Sequence, residues 1–170
     1  MFVPTAAVAA LAKRLESCTR AVGGRAAGWE AFETARIERG IPRFGVDMDE
    51  TNFPQECRIE SRAVSYIKGC YIGQEVLNRI HTLGHVNREL RGLRLADELA
   101  TLPVKGDKLF QAGREAGRIT SAVVSPAMNG KIALALVRKE AGAVGSELIL
   151  KTAGGESRAR VVELPFKPSS

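Results

Sequence analysis

The strongest constraint on this chain is a run of short apolar segments that begins near residue 88 and continues to residue 164. Leu90-Arg91-Gly92-Leu93-Arg94-Leu95 has the period-two alternation of a half-buried strand. Further strand candidates lie at 107–112, 115–125, 132–138, 146–152 and 157–164. Gly106-Asp107, Ala112-Gly113, Asn129-Gly130 and Gly154-Gly155 supply turn signals between them. Short strands joined by tight turns, with little helix among them, predict a small closed antiparallel β-barrel. Aromatic residues make up only 5 % of the chain, so the interior must be built from Ala, Val, Leu and Ile. The fold class is α+β, with a boundary near residue 86 that divides residues 1–86 from a barrel domain at 87–170.

The part before the barrel reads as helices and loops. Residues 5–16 predict a helix capped by Thr5, with Val8, Leu11 and Leu15 on one face. Residues 29–39 predict a second, on which Trp29, Phe32 and Arg36 share a face; Gly40 ends it and Pro42 prevents continuation. A guanidinium beside an apolar stripe needs a carboxylate or carbonyl partner, and Glu33, Glu38 or a more distant acid can supply it. Residues 41–57 carry two prolines and a glycine and read as a long, irregular connection of the kind that is usually functional. Asp47, Asp49, Glu50 and Glu56 concentrate there. They suit a hard cation, recognition of paired N–H groups on a heterocycle, or ion pairing with Arg36, Arg39 and Arg43. The residues by themselves favour ion pairing. Ala63–Ile67 reads as a short β-prone run, and 74–80 as a short helix. His81 and His85 have metal-ligand spacing, but Gly84 between them argues against a continuous helix.

Chemistry is densest at Lys68-Gly69-Cys70-Tyr71-Ile72-Gly73-Gln74-Glu75, which packs a thiol, an amine, a phenol, an amide and a carboxylate into eight residues that include two glycines. Lys68 can favour the Cys70 thiolate, and so can the start of the helix at 74. A buried, purely structural cysteine in a strand-to-helix turn is the competing reading. Cys18, Cys57 and Cys70 are odd in number and sparse, with no CxxC pair, so neither a disulfide framework nor a zinc site is expected. The net charge of +6 and pI of about 9.5 allow an anionic partner such as a polyglutamylated cofactor, RNA or an acidic protein. No apolar run is long enough for a membrane span, and the N-terminus lacks a signal-peptide pattern, so a reducing, cytoplasmic setting is expected.

Two segments carry a resemblance. Gly40–Glu50 with Pro54-Gln55-Glu56, followed by Lys68–Glu75, resembles the YgfZ/GcvT folate-binding family, and Lys68–Glu75 looks like its signature motif. Gly117–Pro126 with Ile132–Leu136 resembles the C-terminal barrel shared with the glycine-cleavage T-protein. The resemblance covers roughly residues 25–164. It implies the end of a folate-binding α/β subdomain followed by the barrel, with tetrahydrofolate as cofactor. It implies that Glu56 holds the pterin ring, that Cys70 is the reactive thiol, and that Lys68 tunes it or meets an anionic folate tail. Iron–sulfur enzymes or cluster-assembly proteins are the implied partners. In such relatives a long folate-binding segment precedes the motif, which here begins at residue 68. The expectation is therefore the C-terminal portion of a longer protein, completed by that segment or by self-association. The alternatives are an aminomethyltransferase and a non-enzymatic module that binds RNA or protein.

Overall fold

The computed structural model describes residues 2–168. The chain divides into two compact units, one ending at Phe32 and the other beginning at Glu33.

In the first unit, helix α1 spans Val8–Ala21 after a single 3₁₀ turn at Thr5–Ala7. The helix therefore outruns the predicted 5–16 and takes in Cys18, which is exposed. Thr5 does not cap it: Ala7 stands at the cap position and has no side-chain acceptor. Gly23 and Gly24 end it, with Gly24 N donating to Thr19 O at 2.8 Å. Helix α2 spans Trp29–Glu38, and the rings of Trp29 and Phe32 lie 5.4 Å apart, as their shared helical face requires.

The second unit is built on the barrel. Its strands are β1 (Arg88–Leu95), β2 (Lys108–Gln111), β3 (Arg114–Ser125), β4 (Gly130–Arg138), β5 (Glu147–Thr152) and β6 (Gly155–Val162). They close in the order β1-β4-β3-β2-β5-β6, with β6 pairing back onto β1 and every ladder antiparallel. The predicted strands are all present, with ends shifted by a residue or two. Leu93, Leu109, Ile119, Leu148, Leu150 and Val161 fill the interior, and Ala133 and Ala135 stand where the narrow lumen leaves no room for more.

Strand β4 is buried on both faces. Ala133, Ala135 and Val137 point inward; Ile132, Leu134 and Leu136 point outward onto Ile37, Leu90 and Phe166. A strand covered on both sides loses the polar half of its alternation, which explains the unbroken Ile132–Val137 run. Gly40 ends α2 with φ of +65°, its N–H donating to Ile37 O at 2.8 Å.

Helices α3 (Glu60–Ala63) and α4 (Gln74–Leu83) precede the barrel. The β-prone reading of 63–67 fails: α3 ends at Ala63, and an irregular segment follows. A closed barrel offers no free edge for that run to pair with, and Ile67 is exposed instead.

Candidate functional site

A buried ionic cluster ties residues 33–47 to the barrel. Asp47 is buried, and Arg36 Nη1 donates to its Oδ2 at 2.7 Å while Arg43 N donates to the same oxygen at 3.0 Å. Thr120 Oγ1 and Ser121 Oγ both donate to Asp47 Oδ1 at 2.6 Å, and Ser121 accepts from Arg36 Nη2 at 2.8 Å. Two consecutive strand residues ordinarily face opposite sides. Here the β3–β4 register slips between Ile119 and Ser121, a bulge that aims both hydroxyls at one carboxylate. Arg36 also donates through Nε and Nη2 to Glu33 Oε2, at 3.0 and 2.7 Å. The Arg36 hydrogen bond, acting against the cost of burial, holds the Glu33 carboxyl below the usual range. Arg36 thus has both the near and the distant acid foreseen for it, whereas Glu38 instead accepts from Ser125 Oγ at 2.6 Å. Of the readings of the acidic loop, ion pairing accounts for Asp47. Among the described residues no group of three or more His, Cys, Asp or Glu is arranged to hold a metal.

Glu56 stands at the wall of a cleft of about 770 Å³ whose lining also includes His85, Arg88, Glu115, Arg118, Arg138 and Lys139. Its side chain is nearly buried. Oε1 accepts from Arg88 Nε at 2.9 Å, and Oε2 accepts from Asn52 Nδ2 at 3.1 Å and Phe53 N at 3.3 Å. Leu90 N donates to Glu56 O at 2.7 Å, so the loop's main chain is pinned to β1 as well. A carboxylate offers about four acceptor positions. Three are taken, which leaves one, on Oε1. Cys57 beside it is 1 % exposed, and burial pushes its thiol up to about 11, so it stays protonated and inert at neutral pH.

Cys70 and Lys68 lie elsewhere, on the exposed segment between α3 and α4, and neither lines the cleft. Gly73 starts α4 with φ of +88°, a left-handed position that suits glycine. Cys70 is exposed just before that turn, which removes the buried, structural reading. The Lys68 ammonium sits 4.6 Å from the centre of the Tyr71 ring, a cation–π contact, and Tyr71 Oη donates to Ser65 O at 3.0 Å. A second polar cluster braces the same segment. Tyr66 Oη donates to Glu60 Oε1 at 2.5 Å, His81 Nδ1 lies 2.7 Å from that oxygen, and the Tyr66 and His81 rings stack at 4.2 Å. The Tyr66 hydrogen bond first, then His81, hold Glu60 below the usual carboxylate range. His81 is thereby committed to Glu60, and α4 ends at Leu83, so the His81–His85 spacing is not that of a helix. The structure thus brings Glu56 into a cleft and separates it from the Lys68–Cys70 loop. Arg88, Arg118, Arg138 and the Tyr66–Glu60–His81 cluster were missed because long-range register and packing, not local spacing, assemble them.

Residues 88–167 match the family model described as the glycine cleavage T-protein C-terminal barrel domain. This stretch is similar to the T-protein barrel. Similarity extends beyond it: an aminomethyltransferase of Moorella thermoacetica is 32 % identical over 98 % of this chain and 44 % of its own length. An aminomethyltransferase of Thermosipho melanesiensis is 34 % identical over 82 % of this chain and 37 % of its own. The crystal structure of glycine cleavage system aminomethyltransferase T from Bartonella henselae superposes with a TM-score of 0.82 at 23 % identity. That match covers 97 % of this chain and 45 % of the other, and shows a shared fold. The chain spans less than half the length of these relatives. Together the matches show similarity to the T-protein over the barrel and to aminomethyltransferases over most of this chain.

The matched barrel includes Thr120 and Ser121, whereas Asp47, Glu56 and Cys70 precede it. The ionic cluster is therefore the joint by which the barrel holds the acidic loop that ends in Glu56. Among the described residues, no helix is long and apolar enough to cross a membrane.

Proposed function

We propose that this chain serves as a tetrahydrofolate-binding accessory protein of the YgfZ type, acting in assembly or repair of iron–sulfur clusters, with Cys70 as its reactive thiol. The observation that carries this reading is the Lys68–Glu75 segment, with Cys70 exposed three residues before the left-handed Gly73 that opens α4. A thiol must be accessible to act as nucleophile or metal ligand. Tetrahydrofolate, when bound, supplies one-carbon chemistry. Glu56 fits its pterin through the acceptor position left on Oε1, held in place by Arg88, Asn52 and the Phe53 N–H. Lys68 would meet the anionic tail or bias the thiol. The rest of such a pocket belongs to the kind of segment that makes up the other part of the T-protein-like relatives, or to a second copy of the chain. Iron–sulfur enzymes and their assembly proteins are the proposed partners, in the cytoplasm, where free thiols persist.

The reading is tested in cells that lack the native protein and show reduced iron–sulfur enzyme activity. Cys70→Ala is expected to abolish restoration of that activity at unchanged protein level, while Cys18→Ala and Cys57→Ala restore it. Full restoration by Cys70→Ala would sink the thiol role. The relatives' name favours a second reading, aminomethyl transfer to tetrahydrofolate. Robust formation of methylene-tetrahydrofolate from an aminomethyl-loaded lipoyl carrier protein would favour it over the first.

A further inference from the structure

We propose that Arg118, Arg138 and Lys139, backed by Arg88, form an anion-reading rim on the barrel cleft, and that the rim takes a chain of carboxylates: the γ-glutamyl tail of a polyglutamylated folate. The proposal rests on the folate reading for the identity of the ligand, and on strand register for the site.

Arg88 pairs directly with Arg138 across β1 and β4, while Leu136 pairs with Leu90 on one side and with Arg118 on the other. Residues opposite one another across a ladder share a face, as do residues two apart along a strand. Arg88, Arg138 and Arg118 therefore occupy one face of three adjacent strands, and all three line the 770 Å³ cleft with Lys139. Like charges placed directly opposite are destabilising, and the protein's own acids relieve only part of that repulsion. Glu56 pairs with Arg88 at 2.9 Å. Glu115 is engaged by Lys108 at 2.7 Å, and Glu140 stays 3.9 Å from Arg138 with both side chains largely in solvent. Arg118 and Lys139 have no ion pair among the described residues. What remains is a row of cations on a rigid sheet, facing a space large enough for a flexible ligand.

The acids in the same lining select the kind of anion. Glu115 and Glu140 would repel the dense charge of a polyphosphate. They can accept from the amide N–H groups of a γ-glutamyl chain, whose carboxylates alternate with such donors. Guanidinium groups suit carboxylates because two parallel hydrogen bonds form at once.

The test is calorimetric titration of the full chain with tri-γ-glutamate, which carries no pterin. Parallel titrations use inorganic tripolyphosphate and monoglutamyl tetrahydrofolate, at one fixed, low ionic strength. Saturable binding of tri-γ-glutamate is expected, with affinity lowered roughly tenfold or more in the Arg118→Ala, Arg138→Ala double variant, since hydrogen bonds to charged groups are at stake. Lys151→Ala, which removes a cation outside the cleft, is expected to change it less than twofold, and far-UV circular dichroism verifies that each variant is folded. Absence of tri-γ-glutamate binding, equal affinity in the double variant, an equal loss in Lys151→Ala, or tighter binding of tripolyphosphate overturns the rim. Binding of monoglutamyl tetrahydrofolate without tri-γ-glutamate would overturn the rim and leave the pterin assignment standing; the reverse pattern supports the rim alone.

Discussion

Asp47→Ala is expected to destabilise the chain by about 3–5 kcal/mol, the range for removing one partner of a buried ion pair. The loss is large because the carboxylate has four partners at once. Without it, Arg36 keeps Glu33 and Ser121 but is left with excess buried positive charge, the Ser121 hydroxyl and the Arg43 N–H lose their acceptor, and the Thr120 hydroxyl keeps only Leu134 O at 3.1 Å. Each unsatisfied buried donor adds roughly 1–3 kcal/mol, though such terms do not sum simply. Urea unfolding followed by circular dichroism measures the change. A midpoint shift worth less than about 1 kcal/mol would show that the cluster is dispensable for stability. The same variant also tests function, because the loop from Asp47 to Glu56 is held on the barrel by this joint. Ligand binding at the cleft should weaken even at temperatures where the barrel remains folded.

Gly117→Ala is expected to cost about 3 kcal/mol, the upper end of the range for overpacking. Gly117 pairs with Val137 in the central β3–β4 ladder. A methyl group there would press on the Leu136 carbonyl oxygen and approach Val137 Cα to 2.9 Å. Both obstacles are backbone atoms, so no rotamer change relieves them; the strands themselves must separate. Thermal unfolding of the variant is the measurement, and a melting temperature within a degree or two of the parent would show that the ladder can shift without cost. Gly130, whose added methyl would meet nothing closer than 3.8 Å, provides the matched control. Its substitution by alanine should be nearly silent.

Much of the barrel is legible locally. Period-two segments separated by Asn129-Gly130, Gly154-Gly155 and similar turns can close their hydrophobic face in few other ways, and the strands fall where the pattern puts them. Ile132–Val137 also announces its double burial, because it lacks the polar half of a strand. The helical part is less legible. Trp29 and Phe32 remain largely exposed, and the Ala63–Ile67 run has the composition of a strand but no edge to join. β-propensity reports fitness for a pleated, half-buried surface, so it misleads where no neighbouring strand exists.

The candidate site divides along the same line. Cys70 and Lys68 were visible from the density of chemistry within eight residues, and Arg36 from the mismatch between a guanidinium and an apolar stripe. Sequence by itself determined that a barrel forms and that Arg36 requires an acid, and it singled out the Lys68–Glu75 segment as a candidate. Only the tertiary structure decided that Asp47 is the distant acid, that Thr120 and Ser121 face it together, and that Glu56 is braced by Arg88 in a cleft apart from the Cys70 loop. The reason is physical: helix and strand periodicities act over a few residues, whereas a bulge, a ladder register and a buried charge cluster join groups separated by 11 to 85 positions along the chain.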